Sequence, residues 1–140
     1  MFRRYVLFLT VIYVIIMIGT SCSNSQQTRP PGSTSVGGAT IKTALEINGD
    51  FETIESQTNF EPNQEFYFYF HNNLSFGSDQ ISVQLIDNND EKILAETDYE
   101  VDPDNSQLYD RIWFGSRGMY TIVVKVDGEV RATREIIIEQ

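Results

Sequence analysis

The chain holds one cysteine and one histidine in 140 residues, and its acidic side chains outnumber Lys and Arg by 20 to 10. Each shortage excludes something. A single thiol forbids any disulfide within the chain, so burial of apolar surface must hold the fold together. One His and one Cys cannot furnish the ligands of a zinc site. A Ser-His-Asp arrangement would have to use His71, and no Gly-x-Ser-x-Gly turn accompanies it. No Gly-rich loop that could cradle phosphate is present. The net charge of −10 argues against nucleic acid, whose phosphates demand cations. It also disfavours electrostatic docking on anionic lipid. Excess negative charge does serve one general purpose, keeping a protein dispersed. After the first twenty or so residues no segment sustains a helical period with caps, so no helix is expected there.

What is present begins at the N-terminus. Arg3 and Arg4 precede an apolar run over residues 5–18, followed by Gly19-Thr20-Ser21 and then Cys22. A charged start, a short apolar middle and small residues before a cut form the pattern of a secretory signal. The run is shorter than the ~20 residues a spanning helix needs. The lone cysteine directly after the small residues makes the stretch resemble a bacterial lipoprotein signal. Gly19 stands three before the cysteine, where that family usually has a larger aliphatic residue. The resemblance implies that the Cys22 thiol is acylated and that residues 1–21 are removed. It also implies a place in the bacterial cell envelope, anchored to a membrane by lipid, on the periplasmic side or at the surface. Two or three acyl chains hold firmly where one holds marginally.

Residues 22–39 read as a disordered tether. Ser, Asn, Gln, Thr, Pro and Gly dominate, and such a segment cannot bury enough apolar area to offset its ordering entropy. Its r.m.s. reach is roughly 20–25 Å.

From Thr40 the pattern has period two. Ile41, Thr43, Leu45 and Ile47 alternate with polar or small residues, then Asn48-Gly49 marks a hairpin turn before a second run over 51–56. Phe66-Tyr67-Phe68-Tyr69-Phe70 is the most strand-prone stretch. Further strands are expected around Ile81-Val83-Leu85, over 92–99, over 108–114, through Tyr120-Ile122-Val124-Val126, and over 130–138. Polar turns separate them, among them Asp87-Asn88-Asn89-Asp90, Asp102-Pro103-Asp104-Asn105 and Asp127-Gly128. Seven or eight short strands in residues 40–140 point to one antiparallel two-sheet β-sandwich, with a small β-barrel as the alternative.

Gly118 and Tyr120, at the start of the penultimate strand, resemble the Gly-x-Tyr of immunoglobulin-like domains. In that family the tyrosine closes a corner through its hydroxyl. The family's cysteine pair is absent, and Trp113 lies later than the family's core tryptophan. The resemblance implies an immunoglobulin-like sandwich and no particular activity.

Two acidic turns, Asp87-Asp90-Glu91 and Asp98-Glu100-Asp102-Asp104, carry oxygens that calcium could use, but neither has the spaced Asp-x-Asp-x-Asp-Gly order. Asp and Asn are also ordinary turn formers. No metal, cofactor or catalytic residue is assigned. Alternation in the aromatic strand puts Phe66, Phe68 and Phe70 on one face and Tyr67 and Tyr69 on the other. Near Trp113, the residues Tyr109, Arg111 and Trp113 share a face opposite Leu108, Ile112 and Phe114. If both outward sets lie on one sheet, they form an aromatic surface with one arginine, of the kind enriched at binding hot spots. The expectation is a non-catalytic binding module for an envelope protein or glycan. A structural or accessory subunit joined through sheet edges is the alternative, and a small hydrolase built on His71 a distant third.

Overall fold

The computed structural model describes residues 32–47, 50 and 54–139. The expected signal sequence, Cys22, most of the expected tether, the expected Asn48-Gly49 turn and residues 51–53 lie outside the described residues. Nine strands follow in order: β1 (Thr34–Ser35), β2 (Thr40–Ala44), β3 (Asn59–Phe60), β4 (Phe66–His71), β5 (Gln80–Asp87), β6 (Lys92–Glu100), β7 (Gln107–Ile112), β8 (Gly118–Val126) and β9 (Glu129–Ile138). One sheet has the order β1-β9-β8-β5-β6, with β3 also paired to β9; the other is β2-β4-β7. Two sheets with open edges make a sandwich, not a closed barrel. All pairings are antiparallel except the short parallel one between β3 and β9.

The expected alternation in β4 holds. Phe66, Phe68 and Phe70 are fully buried. They meet Ile81 and Val83 of β5, Ile122, Val124 and Val126 of β8, and Ile136 and Ile138 of β9 in one core. Each such side chain contributes on the order of 1.5–3 kcal/mol through burial. Phe60 stacks on Phe66 with ring centroids 3.8 Å apart, and Phe114 stacks on Tyr120 at 4.2 Å.

The tyrosine corner forms. Tyr120 donates its hydroxyl proton to the Ser116 carbonyl at 2.9 Å. Gly118 leaves room for it, since a Cβ there would lie 3.4 Å from the Tyr120 hydroxyl. Asp127 and Gly128 both have positive φ, 52° and 76°, the geometry of a tight hairpin turn.

Three sequence expectations differ from the structure. The sandwich starts before Thr40, because Thr34 and Ser35 pair with Thr133 and Ala132 on the edge of β9. Edge pairing uses backbone groups only, so a stretch with no apolar side chains to bury can still join a sheet. Ile54, Glu55 and Ser56 are not in a strand. Ile54 packs instead with Tyr69 and Ala44 on the outside of the smaller sheet, and Leu45, beyond the end of β2, is 43% exposed. The strand expected over 108–114 stops at Ile112.

Removing the corner hydroxyl with Tyr120→Phe should cost about 1 kcal/mol. Phe68→Ala should cost about 3–5 kcal/mol, a large fraction of the stability a domain of this size has. Urea melts followed by circular dichroism check both.

Candidate functional site

β4 and β7 are neighbours, so the outward residues expected to form a face are brought together. Tyr67 stands opposite Arg111, and Tyr69 opposite Tyr109. The Tyr69 and Tyr109 rings stack at 5.8 Å with 6° between planes. The Arg111 guanidinium sits 5.9 Å from the centre of the Tyr67 ring and 3.4 Å from Glu65. Both ends of that ion pair are well exposed, so it contributes little to stability.

Two members of the expected face behave differently. Tyr69 is 7% exposed, covered by Ile54 and Ile47. Its hydroxyl donates to Gln107 Oε1 at 2.7 Å. Burial, and then the Asp50 carboxylate, raise its pKa. Trp113 lies past the end of β7 and turns to the side of the sandwich, where it lines a cleft. Tyr109 and Trp113 remain the exposed aromatics, at 60% and 59%.

The cleft exists because the sheets differ in width. β6 ends the larger sheet and β7 ends the smaller one. Ala95 and Thr97 face the core side of β6, opposite Leu85 and Val83, yet both are exposed. The space over them is about 520 Å³. Leu85, Leu94 and Ala95 line one wall, and Ile112, Trp113 and Phe114 the other. Asp87, Asp110 and Arg111 add charge. A constant-type immunoglobulin arrangement has four strands in the sheet corresponding to β2-β4-β7. Here the chain runs directly from β6 to β7, and the fourth position is open.

A hydrogen bond spans the gap. The Tyr99 hydroxyl of β6 donates to Asp110 Oδ2 at 2.7 Å, while Asp110 Oδ1 accepts the Arg111 N–H at 2.7 Å. Partial burial raises the Tyr99 pKa first, and the bond to the Asp110 carboxylate and its charge add to the rise. No signal in the chain pairs Tyr99 with Asp110, since each sits in a strand whose position only the sheet order decides.

His71 ends β4, in register with Thr40 and Gln107, and lines none of the three described cavities. The acidic turns fold on themselves: Asp87 Oδ1 accepts the Asn89 N–H at 2.9 Å, and Asp102 Oδ1 accepts the Asp104 N–H at 3.0 Å. Among the described residues no three His, Cys, Asp or Glu side chains converge to hold a metal ion.

No family model matches the chain, and no curated protein matches it. It is similar to a solved structure of a DUF3244 family protein with an immunoglobulin-like β-sandwich fold from Bacteroides vulgatus ATCC 8482. The identity is 13%, the match covers 71% of this chain and 99% of that one, and the TM-score is 0.41. The class of this chain, an immunoglobulin-like β-sandwich, rests on its own two sheets and its tyrosine corner.

The raised tyrosines give a pH dependence with a definite sign. A tyrosine whose folded pKa is raised stabilises the fold fully below its unfolded pKa of about 10, and that contribution is lost as pH rises beyond it. The urea midpoint should therefore fall from about pH 10 upward, and Tyr99→Phe should flatten part of that fall. Denaturation series across the alkaline range measure it.

Proposed function

We propose that this chain is a non-catalytic, lipid-anchored protein of the bacterial cell envelope. In this reading Cys22 carries the lipid, and the sandwich binds an envelope protein or glycan. The observation that carries the binding role is the open side of the sandwich. There Trp113 and Tyr109 are more than half exposed, next to an apolar-walled cleft bearing Asp110 and Arg111. Aromatic rings and arginine beside a concave apolar surface are the usual composition of a binding hot spot. The anchor rests on the order Arg3-Arg4, apolar run, small residues, Cys22. A second reading, an accessory subunit of an envelope assembly, has the unpaired edges of β6 and β7 in its favour.

Two measurements test this. Metabolic labelling with a clickable fatty acid should mark the wild type, and Cys22→Ala should lose the label and leave the membrane fraction. Capture from envelope extract should fall about tenfold or more in Tyr67→Ala/Tyr109→Ala/Trp113→Ala, with folding unchanged. Tyr69 is left intact because it is packed. Undiminished capture by the folded triple variant would remove the open side as the binding face.

A further inference from the structure

We propose that the open side of the sandwich receives an extended, cationic segment of a partner protein, which adds as a fourth strand to the free edge of β7. The inference rests on the reading of this side as a binding face and names what that face takes.

The backbone comes first. Among the described residues β7 pairs with β4 on one side only. The Arg111 N–H is turned away from β4, for it donates to Asp110 Oδ1. Strand alternation turns the Tyr109 amide the same way. These groups offer an added strand its ladder. The carbonyl of an incoming residue would take over the Arg111 N–H and release the Asp110 carboxylate.

Side-chain direction comes next. Asp110 shares the core side of β7 with Leu108 and Ile112, since these oppose Phe68, Phe70 and Phe66. An added strand would point alternate side chains into the cleft. A basic residue opposite Asp110 would meet its carboxylate. Apolar residues two positions away would meet the walls formed by Leu94, Ala95 and Ile112.

Charge selects the occupant. From Asp79 to Arg111 the sequence holds ten acidic residues and two cations, Lys92 and Arg111, and Arg111 lines the cleft with Asp87 and Asp110. A second copy would bring the same negative field to the edge, and repulsion disfavours it. This chain's own N-terminal segment enters the fold through β1, beside β9 and at the far end of the larger sheet from β6. That segment also carries Pro30 and Pro31, which lack the N–H a ladder needs. A cationic partner strand meets both the field and the backbone.

Trp113 is the single tryptophan and lines the cleft, so its fluorescence reports occupancy. The probes are short synthetic peptides that alternate lysine or arginine with an aliphatic or aromatic residue, titrated into the full chain in detergent micelles. Saturable change in Trp113 emission is expected. Matched peptides carrying glutamate in place of the cations, or N-methylated at alternate amides, should bind at least about tenfold more weakly. Tyr109→Pro, which removes an edge amide at an exposed position, should weaken binding similarly while circular dichroism stays unchanged. The proposal is overturned if no cationic peptide gives a saturable change, or if the glutamate or N-methylated peptides bind as tightly. In either case, envelope capture that still depends on Tyr67, Tyr109 and Trp113 would leave the broader binding role standing.

Discussion

Three phenylalanines on alternate positions of one strand hold this domain together. Phe66, Phe68 and Phe70 lie on the inner face of β4, between β2 and β7, and have no solvent exposure. Their rings reach β5, β8 and β9 of the opposite sheet, so one strand supplies much of the contact between layers. The stack runs on from Phe66 through Phe114 to Tyr120, whose hydroxyl closes the corner at Ser116. With no disulfide available, this burial replaces the covalent link that many extracellular domains of the same architecture use.

The same strand shapes the outer face of the smaller sheet. Seating the phenylalanines inward turns Tyr67 and Tyr69 outward, and antiparallel pairing then sets Arg111 and Tyr109 opposite them. The smaller sheet stops at β7, while the larger one continues to β6. The mismatch leaves β6 uncovered on its core side and opens the cleft. A hydrogen bond from Tyr99 to Asp110 crosses the gap. The open side is therefore a consequence of the layer arrangement, and aromatic, acidic and edge backbone groups gather along it.

Much of the fold was legible in the chain. The alternating patterns around Phe68, Val83 and Val124 require half-buried strands, and Asp127-Gly128 requires a tight turn because both residues tolerate positive φ. Gly118 and Tyr120 marked the corner. β3 was missed, because two residues are too few to show a period. β1 was missed because its pairing uses no apolar side chain. The run over 51–56 was read as a strand; its described residues 54–56 lie beside Thr43 of β2 without forming one, and Ile54 packs on Tyr69. The residues Tyr67, Tyr109 and Arg111 were legible as a group, while Trp113 was assigned to their face and lies at the cleft.

Local sequence determined which residues face inward, where the chain turns and how acidic the surface is, because these follow from side-chain period, backbone freedom and composition. Tertiary structure alone decided that β7 and β6 end their sheets, that Tyr99 meets Asp110 and that Tyr69 is covered. Those facts depend on which strands become neighbours. Neighbour choice is settled by packing two layers against each other, and no short window of residues carries that information.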